Sequence, residues 1–242
     1  IEGVKTLLAP DGIFVCETGS GPDLIASRLY DCIYHEHLSY FGLNQLQRLF
    51  LQHGLQAVKA IHTESKGGCL RVIAKHCPGR MRELALPLPV EQREPTPADL
   101  AWFRRGLEQT RDNLLGHIFD AQRKDRRFVG YGASVGVTTL RYALEVEYKM
   151  SGFVDDNPSR QGLYPPGLQM PIQSPDSLTS NLTVVLFAWR YADVILAKHQ
   201  AFLAAGGVIL QPLPTLTIHT GESYGRRHQI RPDESPRGAP LA

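Results

Sequence analysis

The spacing of apolar residues at the start of the chain predicts a helix followed by a strand. Val4, Leu7 and Leu8 share one face of a helix, and the turn at residues 10–12 contains proline and glycine. An apolar run over residues 13–16 follows that turn and has the character of a short buried strand. The chain therefore begins with the alternation of helix and strand that is typical of α/β proteins.

The next segment repeats this alternation and ends in two strands. A helix is predicted over residues 44–53, where it stops at Gly54. Its apolar face consists of Leu43, Leu46, Leu49 and Phe50. Strands are predicted over residues 55–61 and 69–75, joined by a tight turn that contains Gly67 and Gly68.

Prolines mark a change of pattern after the second of these strands. They recur through residues 80–98 and exclude a continuous helix there, which indicates a connection between domains. Residues 99–122 then have the apolar spacing of one amphipathic helix. At about 1.5 Å per residue this helix is roughly 35 Å long, enough to bridge two domains.

The second half of the chain alternates strands and helices in the order of a parallel α/β domain. A strand at residues 127–131 runs into glycines and then into a helix predicted over residues 138–145, which is a Rossmann-like strand–loop–helix unit. Later strands are predicted over residues 184–188 and 208–212, with a helix over residues 192–205 between them.

Composition restricts the class of protein but says little about chemistry. The 242 residues are 43% hydrophobic and 21% charged, with a formal net charge of +2, which does not provide the clustered basic excess of a nucleic-acid-binding protein. Apolar runs are too short to span a membrane, and no signal peptide opens the chain, so a cytoplasmic protein is expected. The four cysteines form no C-x-x-C pair and are interpreted as free thiols.

The run Tyr34-His35-Glu36-His37 concentrates acid/base chemistry in four residues. Imidazole titrates near neutral pH, so a histidine beside a carboxylate and a phenol has the groups that a general base needs. The alternative is a polar surface loop. A metal site built from Cys32, His35 and His37 is a weaker interpretation, and no metal is predicted.

The loop at residues 130–136 is a candidate for ligand binding. Its spacing is G-x-G-x-x-x-G and differs from the G-x-G-x-x-G of dinucleotide-binding proteins, so Gly130, Gly132 and Ser134 make a weak cofactor motif. Asp155 follows a second strand at the position where a ribose hydroxyl would be bound. The alternative is that the glycines form only a tight turn and the aspartate only caps a loop.

Trp189 is the last candidate, because the run Trp189-Arg190-Tyr191 stands at the end of a predicted strand, and open α/β sheets bind ligands beyond the carboxyl ends of their strands. The alternative is a tryptophan that packs in the core.

Several separate motifs closely resemble those of the nucleotide-sugar C-methyltransferases. They are residues 31–43, the Gly67–Val72 segment, residues 130–134, 154–158 and 161–164, and Pro166-Gly167. The resemblance extends from about Thr6 to Pro214. It implies a partial class I methyltransferase (Rossmann-like) sheet followed by a second Rossmann-like, parallel α/β domain, with the substrate between the two domains.

The resemblance also implies roles for the candidate residues. His37 is expected to be the base that removes a proton from the carbon beside the ketone of a nucleotide-linked 4-keto-deoxysugar, with Tyr34 and Glu36 as polarising and orienting groups. His35, Gly130, Gly132, Ser134, Asp155 and Trp189 are expected to contact the substrate. The methyl donor implied is S-adenosylmethionine.

In such enzymes the loops that hold S-adenosylmethionine follow the first and second strands of the sheet. By the resemblance these loops precede Ile1, so the 242-residue chain alone is expected to lack methyl transfer and to need the missing amino-terminal half. The chain also departs from the family pattern. Members of the family commonly have a lysine and then a glycine after the Gly-Ala-Ser run, whereas this chain has Gly136 and Val137 there. Two further departures are Lys66, in place of a usual histidine, and Cys69, in place of serine.

There are two alternatives to C-methylation. One is a non-catalytic protein that binds nucleotide sugars, and the other is an NAD(P)-dependent sugar oxidoreductase, which the loop after Gly130 alone suggests. The predicted domains are residues 1–79 for the methyltransferase portion, 80–98 for the connection, 99–123 for the linker helix and 124–220 for the Rossmann-like domain. A disordered tail is predicted over residues 221–242.

Overall fold

The computed structural model describes residues 1–77 and 93–221. Most of the predicted proline-rich connection and the tail beyond residue 221 lie outside these ranges. The chain forms two compact units. Unit 1 contains Ile1–Leu29 and His35–Phe103, and unit 2 contains Tyr30–Tyr34 and the described chain from Arg104 onward.

Unit 1 is built on a three-stranded antiparallel sheet with strand order β1-β3-β2. Its elements are α1 (Glu2–Leu7), β1 (Ile13–Gly19), α2 (Gly21–Ala26), α3 (Leu43–Gln52), β2 (Leu55–Thr63) and β3 (Cys69–His76). The helix predicted over residues 44–53 and the two strands after it are therefore present, with ends shifted by one or two residues.

The core of unit 1 lies between α3 and the sheet. Leu46 and Phe50 of α3 are buried because they are four residues apart and face the same side of the helix. They form one cluster with Leu55 of edge strand β2 and with Leu70 and Val72 of central strand β3. Edge strand β1 contributes Phe14, whose ring packs edge-on against that of Phe50 at a centroid distance of 6.0 Å.

Unit 2 is a six-stranded sheet with strand order β6-β5-β4-β7-β8-β9, in which all pairs are parallel except β8 with β9. The predicted Rossmann-like α/β fold is confirmed. Its elements are α4 (Pro97–Gln122), β4 (Arg127–Tyr131), α5 (Val135–Ala143), β5 (Met150–Val154), β6 (Ile172–Gln173), β7 (Leu182–Leu186), α6 (Ala192–Lys198), α7 (Gln200–Ala204), β8 (Val208–Gln211) and β9 (Thr217–His219). The division between the units falls within α4, between Phe103 and Arg104.

The central strands of unit 2 are mainly apolar, as expected for parallel strands that are covered on both faces. All five residues of β7 are buried, as are four of the five residues of β4. Val184 and Leu186 of β7 pack in one cluster with Ile195 of α6 and Phe202 of α7.

The single helix predicted over residues 192–205 was wrong, because two helices meet at His199. The backbone of His199 has φ −104° and ψ 26°, outside the helical region. Its buried imidazole lies 3.0 Å from the Tyr131 hydroxyl, so a buried polar contact coincides with the break.

Candidate functional site

A pocket of about 360 Å³ opens at the carboxyl ends of β4, β5 and β7 in unit 2. Strands β5 and β6 lie on one side of β4, whereas β7, β8 and β9 lie on the other. The chain therefore changes direction across the sheet next to β4, which is where open parallel sheets bind ligands. The residues that line the pocket all belong to unit 2, and they come mainly from the ends of these strands, the loops after them and the helices that follow, together with Asp31.

Gly132 allows the loops after β4 and β7 to approach each other closely. Its φ of +99° lies in the region that side chains disfavour, and a β-carbon there would be 2.9 Å from the Ala188 β-carbon. The Ala188 N–H donates to the Tyr131 carbonyl at 3.0 Å, which fixes the same two loops through the main chain. Gly132 lines the pocket, and its conformation requires glycine whether or not a ligand is bound.

Gly130 does not line the pocket, although it belongs to the same motif. It lies within β4, and a β-carbon at this position would be 2.3 Å from the ring of Phe153 on β5. Gly130 therefore provides space for a core aromatic residue. The role predicted for it in contacting a ligand has no support from its position.

Asp155 follows β5 and organises the pocket's rim. Its buried carboxylate accepts hydrogen bonds from the Ala133 N–H at 2.7 Å, the Asn157 N–H at 2.9 Å and the Arg160 guanidinium at 3.0 Å. Both oxygens are thus engaged by the protein, one of them twice. Asp155 holds the loop after β4 to the loop after β5, in agreement with the structural interpretation of this residue.

A second network lies beneath the rim. The Tyr131 hydroxyl donates to Asp156 at 2.6 Å and lies 3.0 Å from His199 Nε2, while Lys198 donates to the other oxygen of Asp156. Burial and the hydrogen bond to Asp156 raise the pKa of Tyr131 well above its usual value. Burial acts against ionisation of Asp156, but hydrogen bonds from Lys198 and Tyr131 still lower the pKa of this carboxyl overall.

The same surroundings disfavour the charged form of His199. Burial lowers its pKa, and the neighbouring Lys198 lowers it further, whereas Asp156 acts in the opposite direction. Since the Tyr131 proton is directed to Asp156, the contact with His199 is completed if Nε2 donates to the Tyr131 oxygen.

A third cluster joins Asp31 to the loop after β7. The buried Asp31 carboxylate forms an ion pair with Arg190 and accepts a hydrogen bond from Trp189 Nε1 at 3.1 Å. The Arg190 guanidinium also lies over the Trp189 ring, 4.4 Å from its centre. Burial acts against the charge of Arg190, but the bonds to Asp31 raise the pKa of Arg190 overall.

The pocket's charges are therefore largely neutralised within the protein. Asp31 pairs with Arg190, Asp155 with Arg160, and Asp156 with Lys198. The remaining wall is apolar or aromatic and includes Phe187, Tyr191 and Ile195. A pocket with few directed polar groups and an aromatic wall suits a ligand that presents a flat ring.

Ser134 lies at the pocket's remaining edge, where α5 begins. It is the exposed N-cap residue of α5, and its side chain makes no capping hydrogen bond. Four of the six predicted substrate-contacting residues are thus brought together around this pocket, namely Gly132, Ser134, Asp155 and Trp189.

The candidate acid/base run lies in a turn rather than in a helix or strand. Tyr34 is partly buried and belongs to unit 2, whereas His35, Glu36 and His37 are exposed and belong to unit 1. The His37 ring packs edge-on against Tyr40 at a centroid distance of 6.4 Å. His35, like Gly130, is not among the residues that line the pocket of unit 2.

Asp31 is a pocket residue that no sequence pattern identified as part of a ligand site. Arg190 and Tyr191 belong to the run at the strand end that begins with Trp189, and both line the pocket. Asp31 is separated from Arg190 by 159 residues, and no local pattern connects them.

Two further properties bear on the kind of site. None of the helices within residues 1–77 and 93–221 is long and apolar enough to cross a membrane. Over the same ranges, histidine, cysteine, aspartate and glutamate side chains form no group of three that would hold a metal ion.

Unit 2 thus belongs to the class of Rossmann-like α/β domains with a pocket at the switch point of the sheet. Sequence comparison gives the family. Residues 64–214 match a family model described as the C-methyltransferase C-terminal domain. The chain is also 30% identical over 235 residues to the C-methyltransferase NovU of Streptomyces niveus.

The alignment with NovU covers 92% of this chain and 55% of NovU. The chain thus spans about half the length of the curated relative it matches. On the strength of the family model and this identity, the chain belongs to the C-methyltransferase family.

Proposed function

We propose that this chain acts in the C-methylation of a nucleotide-linked 4-keto-deoxysugar, with S-adenosylmethionine as methyl donor. The observation that carries the proposal is the run Tyr34-His35-Glu36-His37 in a member of the C-methyltransferase family. Methylation at carbon requires a carbanion equivalent, and this run contains the groups that generate one beside a ketone.

His37 is the proposed base. Its imidazole takes the proton from the carbon next to the ketone, the C–H bond breaks, and its electrons pass through the new C=C bond to the ketone oxygen. The product is an enolate with its charge on that oxygen. Tyr34 and Glu36 are proposed to polarise the ketone and orient the imidazole, because hydrogen bonds directed at a developing oxyanion lower the barrier.

S-adenosylmethionine supplies an electrophilic methyl group when bound. The described part of unit 1 does not offer an evident cradle for it. Gly19 ends β1 and Gly21 begins α2, but the Ser20 N–H donates to the Gly68 carbonyl and the Gly21 N–H donates to the Phe41 carbonyl, at 3.1 Å and 2.9 Å. These donors are already used, so we assign no residue of this chain to the methyl donor.

The pocket of unit 2 is the proposed site for the nucleotide part of the substrate. Trp189 and Tyr191 offer aromatic surface for a base, and Gly132, Ser134 and Asp155 form the rim that would face the sugar-phosphate. His35, in the acid/base run, is also proposed to contact the substrate. Because the charged side chains around the pocket are paired, we expect binding to depend on ring contacts and backbone N–H groups.

Titration of a nucleotide-linked 4-keto-deoxysugar into two tyrosine variants tests this assignment. Tyr191 lines the pocket and Tyr148 does not, yet both are highly exposed and both lie in short 3₁₀ helices of unit 2. Loss of one base-stacking contact costs roughly 1–3 kcal/mol, so Tyr191→Ala should weaken binding about 5-fold or more. Tyr148→Ala should bind as the wild type does, and equal affinities in all three proteins would rule out this pocket.

A further inference from the structure

Asp31 is a buried acid that lies just before the candidate acid/base run. Only 8% of its surface is exposed, and Tyr30 beside it is 2% exposed, whereas Leu38 after the run is 89% exposed. A buried carboxylate is costly unless it is paired and hydrogen-bonded. A fold that keeps one here, three residues before Tyr34, must hold it with specific partners.

These partners all come from the loop after β7. Arg190 binds Asp31 through both terminal nitrogens, with Nη2 at 3.2 Å from Oδ1, and the same nitrogen lies 3.3 Å from the Cys32 sulfur. Trp189 adds a third donor to the same carboxylate. A planar guanidinium that is paired with a carboxylate and stacked on a ring has little freedom to turn, so Asp31 is fixed in direction as well as in position.

The main chain is constrained at the same place. A β-carbon on Gly136, in the first turn of α5, would be 2.4 Å from the Asp31 carbonyl oxygen. The short 3₁₀ helix Tyr30–Cys32 therefore packs directly on α5. Residues 30–32 are held on one side by this backbone contact and on the other by Arg190 and Trp189.

We infer that Asp31 is a positioning residue for the acid/base run. Its carboxylate, clamped by Arg190 and Trp189 at the edge of the pocket, fixes the start of the loop that carries Tyr34 and continues to His37. The catalytic meaning of this role rests on the proposed function, whereas the clamp itself is a property of unit 2 and can be tested without substrate.

Amide hydrogen exchange in the full chain, followed by mass spectrometry, tests the clamp. Asp31→Asn keeps the side chain's shape and removes its charge, and Asp193→Asn, an exposed acid in the first turn of α6, is the matched control. We expect exchange of residues 33–40 to rise about 10-fold or more in Asp31→Asn, with β4 and β7 unchanged, because only local opening is altered. Unchanged exchange in residues 33–40, or an equal rise throughout unit 2, would overturn the inference.

A milder variant, Trp189→Phe, keeps the inference testable if Asp31→Asn does not fold. Trp189→Phe retains a ring for Arg190 to stack on but lacks the Nε1 donor, so the rise in exchange over residues 33–40 should be smaller than in Asp31→Asn and still confined to that segment. An effect as large in β7 as in residues 33–40 would contradict a specific clamp.

Substrate deuteration separates positioning from binding. With a nucleotide-linked 4-keto-deoxysugar in D₂O, Asp31→Asn should lower the maximal rate of deuterium incorporation about 10-fold and leave KM within about 2-fold. A raised KM with an unchanged maximal rate would make Asp31 a binding residue instead. If the wild-type chain incorporates no deuterium, the proposed function fails, and the amide exchange result still decides whether the clamp exists.

Discussion

The pocket edge of unit 2 and the exposed segment 35–40 of unit 1 both contain candidate functional residues, but they constrain those residues differently. At the pocket edge, the neighbouring atoms explain why the fold itself requires a glycine at position 132 and an aspartate at position 155. In segment 35–40, all six side chains are exposed, so burial does not dictate which residue types stand there.

This difference changes what each motif can be used to infer. Glycines and acids that the fold itself requires are weak evidence for a ligand, even where they line a pocket. Two histidines and a glutamate in an exposed turn are better evidence for chemistry, because a stable fold does not demand them. Substitutions at the pocket edge should therefore change stability, whereas substitutions in the segment should change catalysis.

The largest expected effect is that of His37→Gln. Loss of a general base lowers a rate about 10²- to 10⁴-fold, and we expect that decrease in deuterium incorporation at the carbon beside the ketone, with substrate affinity nearly unchanged. Because His37 is exposed, the thermal midpoint of unfolding should remain that of the wild type. If the variant incorporates deuterium as fast as the wild type, another residue must be the base. A large loss of stability would contradict the expectation that the fold does not require the residues of segment 35–40.

Gly132→Ala should have the largest effect on stability. The positive φ costs an alanine roughly 1–2 kcal/mol, and the close contact with Ala188 adds about 1–3 kcal/mol. Gly162→Ala is the matched control, since its φ of +82° is also positive but its β-carbon would meet no atom within 4 Å. The difference between the losses in free energy of unfolding of the two variants, measured by urea denaturation, gives the cost of the contact with Ala188. Equal losses would show that the loops after β4 and β7 adjust freely.

Gly130→Ala should have a smaller effect on stability. Crowding of the Phe153 ring is expected to cost about 1–3 kcal/mol, as other overpacked cores do. Gly152→Ala on the adjacent strand meets no atom within 4 Å and should be neutral or stabilising by up to about 1 kcal/mol. Should Gly130→Ala prove as stable as Gly152→Ala and yet fail to bind nucleotide sugar, a direct role for Gly130 in binding would be restored.

The smallest expected effect is a pH dependence that originates at His199. Its pKa is lowered in the folded state, mainly by burial, so the unfolded chain takes up more protons as the pH falls below the ordinary value of 6.5. The free energy of unfolding should therefore decrease as the pH falls from about 6.5 through the folded-state pKa, and His199→Gln should flatten that slope. His117→Gln on α4 is the control, and an unchanged slope in His199→Gln would exclude this origin.

The sequence predicted those features that repeat locally. Alternating strands and helices predicted the α/β fold of unit 2, and the strand end before Trp189 marked this residue as a candidate for ligand contact. Contacts between distant segments have no such pattern. The pairing of Asp31 with Arg190, the space that Gly130 leaves for Phe153, and the helix break at His199 each depend on the folded packing.

Proton NMR of a nucleotide-linked 4-keto-deoxysugar in D₂O, with the wild-type chain and no methyl donor, tests the proposed chemistry most directly. We expect the signal of a proton on one carbon beside the ketone to disappear at a rate proportional to protein concentration, while the nucleoside signals persist. Unchanged sugar signals under conditions where titration shows binding would contradict the enolate chemistry and leave a protein that binds nucleotide sugars without acting on them.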